Sequence, residues 1–397
     1  MGTYSRGLVM RIGLIAPPWV PVPPTRYGGI EAIIDRLARG LVRAGHEVLL
    51  AAAGNSTCPV PRIPGTGDAV EGAPVCCDVN TELRHVLMSY AAMTKVDVIH
   101  DHTTAGPLLH RWDGSAPVVT TFHGPFDPMM APIYRAYRGV STIAISHHQA
   151  STAIGATVTR VIHHGIDVAD VPEGKGDGGY ASFLGRMSPE KGPREAALVA
   201  RAAGVPLKMA AKLREPAERQ YFEAEVKPLL CSDVEYLGEL GEHDKLALLG
   251  GSFALVNPIQ WSEPFGLVMI EALATGTPVV ATPRGSAPEI IEDGVTGYLR
   301  RDQEGLAKAL LHAADLDRAQ CRAAACQRFD SDAMVRNHLQ LYADLLCSEP
   351  PSMQEATEGL SGPKLTIGRG RALKRVAPSK TRTVPTSGGV VQNGRLN

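Results

Sequence analysis

The sequence predicts an α/β protein of two domains, each a parallel sheet with helical crossovers. Short apolar runs typical of buried strands alternate with segments of helical periodicity. The chain has 397 residues, enough for two domains with cores of their own. Hydrophobic residues make up 44% of the chain and aromatic residues only 5%, a composition that fits an Ala-, Val- and Leu-rich core.

The first domain is predicted over residues 10–170. A buried strand opens it and is followed by a Pro-rich loop, a helix that ends at Gly45, and a second strand that follows at once. Three more short apolar runs read as strands. In chain order the predicted elements are strand 11–16, loop 17–24, helix 31–44, and strands 47–53, 96–100, 118–123 and 141–146.

Residues 170–179 interrupt this alternation with four glycines. A phosphate-binding loop is excluded because no strand runs straight into the segment and no helix follows it, so we interpret it as a hinge. The pattern restarts in a second domain, predicted over 175–325. Its predicted strands are 180–186, 206–211, 234–237 and 253–259, and a last helix follows at 328–347.

Composition excludes several classes of function. The net charge of −1 gives no pull toward nucleic acid, and no apolar run approaches the roughly 20 residues of a membrane span. The seven cysteines form no Cys-x-x-Cys pair, which argues against a disulfide framework or a zinc site and favours the cytoplasm. The first ten residues are too short and polar for a signal peptide, and Met10 is an alternative start. The Pro/Gly/Ser-rich basic tail, 348–397, is predicted to be disordered, and a peripheral contact with anionic lipid stays open for it.

The segment 261–280 carries the most chemistry. It reads as a loop, a helix that opens at Phe265 or Gly266, and the start of a strand. The glycine lets a ligand approach the unpaired amides of Gly266, Leu267 and Val268, where the positive end of the helix suits a phosphate. Glu263 precedes those amides and Glu271 lies about one turn further in, leaning back toward them. The segment therefore predicts a sugar-phosphate site between two acids.

Two further motifs combine glycine or fixed charge with a strand-to-helix junction. Arg186 and Lys191 place two fixed cations about one turn apart, an arrangement that stabilises negative charge on a ligand. Gly28 and Gly29 open the first helix and permit close approach of a phosphate or sugar. Between the first strand and the first helix the Gly-x-Gly-x-x-Gly fingerprint is absent, which argues against an NAD enzyme.

Histidines mark the carboxyl ends of predicted strands. His123 ends the run 118–122 at the edge where open α/β sheets bind ligands. The run His100-Asp101-His102 invites a metal interpretation, which we do not favour. The side chains of the adjacent pairs 147–148 and 163–164 diverge on an extended chain, and this argues against chelation by them.

These motifs, in this order, resemble the family 4 retaining glycosyltransferases, across roughly residues 10–347. The run 258–281 matches the family's Glu-x7-Glu element, and 185–192 matches its Gly-Arg-x4-Lys-Gly element. The resemblance implies the GT-B fold, two Rossmann-like domains facing a cleft with a last helix that crosses back to the first. It also implies residue roles: Glu263 and His123 at the transferred sugar, and Arg186, Lys191, Glu271, the 265–268 turn and Gly28-Gly29 at the donor. A His replaces the usual Asn at 164.

The resemblance further implies transfer of a hexose from a UDP- or GDP-linked sugar to an acceptor hydroxyl, without metal or other cofactor. Trp19, the 17–24 loop and residues 126–130 are candidates for the acceptor pocket, and the acceptor, a sugar, lipid or aglycone, stays open. A GT-B sugar phosphorylase, a non-catalytic sugar-nucleotide-binding protein and a nucleotide-sugar epimerase are the alternatives.

Overall fold

The computed structural model describes residues 9–63, 67–70, 78–109, 116–137 and 139–347. Two six-stranded sheets lie within them, and every strand runs parallel to its neighbours. The predicted pair of parallel α/β units is thereby confirmed. The predicted basic tail falls outside the described residues.

The first sheet has the strand order β2-β1-β3-β4-β5-β6. One of its faces packs against α1 and α12, and the other against α2 and the segment around α3. Its strands are β1 (Arg11–Ile15), β2 (Glu47–Ala51), β3 (Val98–Asp101), β4 (Val118–Phe122), β5 (Ser141–Ala144) and β6 (Val158–Val161). The helices of this half are α1 (Gly29–Arg43), α2 (Val79–Ala92), α3 (Ala131–Ala136) and α4 (His147–Ser151).

The second sheet has the order β12-β11-β10-β7-β8-β9. Apolar clusters cover both of its faces, as expected of a parallel sheet. Its strands are β7 (Ala181–Arg186), β8 (Leu207–Lys212), β9 (Val234–Tyr236), β10 (Ala254–Asn257), β11 (Val279–Ala281) and β12 (Gly297–Leu299). Its helices are α5 (Pro193–Ala203), α6 (Pro216–Tyr221), α7 (Glu242–Gly251), α8 (Leu267–Ala274), α9 (Ala287–Ile290), α10 (Gln303–Ala313) and α11 (Arg318–Arg328).

The last helix, α12 (Ser331–Cys347), returns to the first sheet, as predicted. Val335 and Tyr342 pack in the core that contains Leu37 of α1. The chain enters α12 beside the strand-like residue Ile166, whose N–H bonds the carbonyl of Phe329 at 2.9 Å. The two chain segments that join the halves therefore run side by side.

The glycine-rich stretch interpreted as a hinge contains no strand, and within it only Asp170 belongs to a helix, a short 3-10 turn; the stretch is hydrogen-bonded to the second half. The amides of Gly174, Gly176 and Gly178 bond carbonyls of that half at 2.9–3.0 Å. A Cβ on Gly174 would lie 2.2 Å from the backbone of Gly250. The glycines thus permit close backbone packing, a reason that the sequence pattern does not reveal. The domain boundaries at 170 and 175 stay a prediction.

The elements that the sequence analysis did not single out include β6, β12 and α2. Strands β6 and β12 are three or four residues long and lie at sheet edges, where the apolar pattern is weak. Helix α2 exposes Val79, Leu83 and Leu87, so its apolar residues do not mark a buried face. No helix among the described residues is long and apolar enough to cross a membrane.

Candidate active site

The loop after β10 delivers the first predicted acid to the carboxyl end of the second sheet. Glu263 is buried, its carboxylate is paired with the Lys191 ammonium, and it accepts a hydrogen bond of 2.8 Å from the Trp261 indole. The Glu263 backbone is fixed as well, because its carbonyl accepts the N–H of Ser286 at 3.0 Å. The carboxylate is therefore held in one orientation by two donors.

Helix α8 begins next to this carboxylate. Gly266 caps it with φ of 86°, a left-handed conformation that an L side chain rarely adopts. Phe265 is buried beneath the turn, while Leu267 and Val268 are partly exposed. The first amides of a helix have no intrahelical partner, so this turn has the geometry on which the prediction of anion binding rests, and the binding itself stays a prediction.

The two predicted cations lie at the end of β7 and in the turn that follows. Lys191 reaches across to Glu263, and its ammonium also lies 4.9 Å from the Trp261 ring centre. Arg186 pairs with Glu190 at 3.0 Å, yet its Nε is buried without a hydrogen-bond partner among the described residues. An unpaired buried donor beside a cleft is what an incoming anion would satisfy.

The second predicted acid, Glu271, is paired with a lysine that the sequence does not single out. Glu271 is buried and its carboxylate lies 2.8 Å from the Lys245 ammonium on α7. Burial alone would lower the pKa of Lys245, but Glu271 and Glu242 outweigh it and raise that pKa above its ordinary value. Arg36 of α1 bonds Glu242 at 3.3 Å, so this network joins the two halves. A lysine at the start of an amphipathic helix carries no sequence signal of such a role.

Gly28 and Gly29 bring the start of α1 against the start of α8. A Cβ on Gly29 would lie 3.2 Å from the Leu267 side chain, and one on Gly28 would lie 2.6 Å from Pro24. The neighbouring Tyr27 donates its N–H to Glu239 of the second half at 3.1 Å. The N-terminus of α1 therefore lies beside the N-terminus of α8, and the role of Gly28 and Gly29 in donor binding stays a prediction.

His123 lies at the end of β4 in a group that we call the five-histidine cluster. The His123 Nε2 and the His102 Nδ1 are 2.9 Å apart, and the His123 ring stacks on His164, which meets Phe265 edge-on. Burial, followed by the charge of His338, lowers the pKa of His123 to about 3, so its ring is neutral at physiological pH. The cluster consists of His100, His102, His123, His164 and His338.

The run His100-Asp101-His102 is engaged in internal bonds. Both ring nitrogens of His100 have partners, the Tyr342 hydroxyl at 2.7 Å and Thr121 Oγ1 at 2.8 Å. Asp101 accepts the Tyr90 hydroxyl at 3.0 Å, and burial raises its pKa to about 7. His100 and Asp101 are therefore core residues whose polar atoms are hydrogen-bonded within the protein.

Of the predicted acceptor residues, Phe126 packs inward, 4.7 Å from the Phe122 ring centre, while Trp19 is partly exposed and Met129 is 84% exposed. The sequence of 126–130 does not show which side chain points inward. Trp19 and Met129 are among the candidates that lie at the surface.

Two family models match the chain in succession. Residues 27–170 match Glycosyltransferase Family 4, and residues 180–315 match Glycosyl transferases group 1. The phosphatidyl-myo-inositol mannosyltransferase of Mycolicibacterium smegmatis is 28% identical over 341 residues, which cover 76% of this chain and 84% of that one. The N-acetyl-alpha-D-glucosaminyl L-malate synthase of Bacillus anthracis is 35% identical over 115 residues, 27% of this chain and 30% of that one.

Solved structures share the fold over most of the chain. A glycosyltransferase involved in avilamycin A biosynthesis superposes with a TM-score of 0.64 and 25% identity, covering 86% of this chain and 99% of that one. An Anabaena protein solved in complex with UDP and glucose has a TM-score of 0.67 and 20% identity, covering 85% and 100%. The chain therefore belongs to the family 4 glycosyltransferases and has the GT-B fold.

Proposed function

We propose that this glycosyltransferase moves a hexose from a UDP- or GDP-linked sugar to an acceptor hydroxyl with retention of anomeric configuration. One observation carries the proposal: segments far apart in sequence meet at one point. Lys191 pairs with Glu263, and Leu267 at the start of α8 lies against Gly29 at the start of α1. A fixed cation, a carboxylate and two helix N-termini around one point suit a sugar diphosphate.

The leaving diphosphate is assigned to Arg186, Lys191 and the first amides of α8. Negative charge grows on the diphosphate as the glycosidic bond breaks, and preorganised donors stabilise it at no cost of reorganisation. The unpartnered Nε of Arg186 supplies one donor. Lys191 supplies another once the diphosphate competes with Glu263 for its ammonium.

The transferred sugar is assigned to Glu263 and His123. A double displacement would need a carboxylate nucleophile beneath the anomeric carbon. Glu263, held by Lys191 and Trp261, instead orients sugar hydroxyls. The acceptor attacks from the face that the diphosphate leaves, and the leaving phosphate takes the acceptor proton. His123 is neutral and contributes by hydrogen bonding, since its pKa is far below neutrality.

The nucleotide ribose is assigned to Glu271. Lys245 holds that carboxylate in place through an ion pair of 2.8 Å, so that it can accept bonds from both ribose hydroxyls. The base, UDP or GDP, is left to experiment. The relative from M. smegmatis acts on phosphatidyl-myo-inositol according to its name, which makes an inositol lipid headgroup the first acceptor to test. A cytoplasmic location and the absence of a nucleic-acid partner are part of the proposal.

Calorimetric titration tests the donor site. The ligands are UDP, GDP, UDP-glucose, UDP-N-acetylglucosamine and GDP-mannose, added to the wild-type protein and to Glu271→Ala. We expect one nucleotide series to bind and the substitution to weaken it about 10- to 100-fold, because bonds from ribose hydroxyls to a carboxylate are lost. The matched control is Glu304→Ala, on exposed surface of α10, which should bind like the wild type.

The outcomes separate the alternatives. Binding of no nucleotide by the folded protein refutes a nucleotide-sugar donor. Donor binding that Glu271→Ala does not change refutes the ribose assignment and favours a phosphorylase. Turnover with the bound donor, followed by NMR of the anomeric proton in the product, tests retention, and an inverted product refutes the same-face mechanism. Binding with no turnover on any acceptor favours a non-catalytic binding protein.

A further inference from the structure

Two histidines and a carboxylate from distant parts of the chain meet at the junction of the two halves. His147 begins α4 after β5, His163 follows β6, and Glu289 lies on α9 of the second half. One nitrogen of each ring and one carboxylate oxygen all lie within 4.8 Å of one another. Neither adjacent pair, 147–148 or 163–164, was expected to chelate by itself, but the fold brings one histidine of each pair together.

The carboxylate is held in place by main-chain donors. Glu289 accepts the N–H groups of His147 and His148 at 2.8 and 2.6 Å, and its Oε2 lies 3.1 Å from the His163 Nε2. Burial pushes the pKa of Glu289 up, but the bonds from His163 and from the amides of His148 and His147 outweigh it, and the pKa lies below its ordinary value. The carboxylate is therefore ionised, and amide bonds of this kind orient a metal ligand.

The two imidazoles are arranged around that oxygen with room for an ion. The His147 and His163 rings are perpendicular, with centres 5.7 Å apart. His147 is exposed, and His163 and Glu289 are partly exposed, so an ion and its remaining water ligands can enter from solvent. The three ligand atoms lie within 4.8 Å of one another. Small side-chain rotations are therefore enough for all three to reach one zinc ion at its usual bond lengths of roughly 2.0–2.2 Å.

We propose that His147, His163 and Glu289 bind one late first-row divalent cation such as Zn²⁺, which ties the two halves together. Two imidazoles and one carboxylate suit such ions and leave positions for water. The ion replaces the contact between His163 and Glu289 by two coordination bonds. The neutral His163 ring then carries its one proton on Nδ1, which leaves Nε2 to bind the ion.

His147, His163 and Glu289 are not assigned to the transfer chemistry, and the proposal does not depend on it. The His163 ring packs against Phe265, in the donor turn, and against Phe329, with ring centres 5.7 and 5.9 Å away. Because two ligands come from the first half and one from the second, a bound ion resists separation of the halves. Its role is to stabilise one domain arrangement.

The test is a Zn²⁺ titration of full-length protein stripped of metal. We expect one ion per chain and a rise in thermal stability. His147→Gln and His163→Gln should each weaken binding by at least about 10-fold, since even the loss of an orienting partner costs that much. The matched control is His243→Gln, whose side chain is 93% exposed on α7. Circular dichroism confirms that each variant folds.

A Co²⁺ titration identifies the ligand atoms, because the exposed thiols Cys231, Cys326 and Cys347 also attract soft metals. A spectrum without a thiolate-to-cobalt charge-transfer band, lost in both histidine variants, supports the site. A thiolate band, unchanged affinity in both variants, or the same loss in His243→Gln overturns the proposal. So does the absence of binding in the wild type.

Discussion

Replacing Gly40 by alanine should destabilise the protein through the contact between α1 and α12. A Cβ on Gly40 would lie 2.4 Å from Val335 Cγ2. Val335 is buried and β-branched, so in a helix it has one strongly preferred rotamer and cannot turn away. Overpacking costs about 1–3 kcal/mol, and alanine in place of a helical glycine returns about 0.5–1 kcal/mol. The net loss should be about 1–2 kcal/mol.

A double-mutant cycle isolates this contact. Val335→Ala removes the methyl group that the new Cβ would meet, so in that background Gly40→Ala should stabilise the protein by about 0.5–1 kcal/mol. The change of sign is the diagnostic result, and it gives a coupling energy of about 2 kcal/mol. Urea unfolding followed by circular dichroism measures all four proteins. If Gly40→Ala has the same effect in both backgrounds, the packing of α12 on α1 is not as described.

Two further predictions concern the cleft and the histidines. Lys191→Met should lower kcat about 100- to 1,000-fold, because the stabilisation of the leaving group is lost. The control Lys308→Met, at an exposed lysine, should leave kcat unchanged. Equal turnover of the two variants would show that Lys191 does not stabilise the leaving group. The five-histidine cluster should make the protein acid-labile. Burial holds each pKa below 6.5, so the stability that the neutral rings contribute is full above that pH and falls by up to about 1.4 kcal/mol per pH unit and histidine below it. Asp101 and Glu31, with pKa values raised to about 7, oppose this effect, because protonation of a buried carboxyl stabilises the folded protein as the pH falls. They are two groups against five histidines. Urea midpoints at about pH 7.5 and about pH 5.5 should therefore drop toward acid, and an unchanged midpoint would contradict neutral buried rings.

The fold was predictable because its buried strands are short, apolar and regularly spaced. Runs such as 11–16, 118–123 and 253–259 each became a strand of a parallel sheet. The pattern failed where burial is partial, as in β6, or where an apolar helix face stays exposed, as in α2. At residues 174–178 the glycine content indicates a flexible linker but does not reveal the backbone that packs against these glycines.

The candidate site was predictable only where local geometry fixes it. The turn at Gly266 and the cations after β7 follow from strand-to-helix junctions, which a sequence displays. The ion-pair and hydrogen-bond partners of the site residues cannot be predicted in this way, because only the fold brings them together. Lys245 reaches Glu271 across 26 positions, and Glu289 reaches His163 across 126. No spacing rule covers such separations.

The return of α12 reverses the order in which the halves can be completed on the ribosome. Multidomain chains generally fold from the N-terminus as they emerge. Here the first sheet shares a core with Tyr342, so until the end of α12 has emerged, Leu37 and its neighbours on α1 lack their partner. One cluster of the second sheet draws all of its residues from 181–313, and needs nothing made later. A nascent or prematurely terminated chain ending near residue 330 thus combines a finished C-terminal half with an open apolar face, the state that chaperones and proteases recognise.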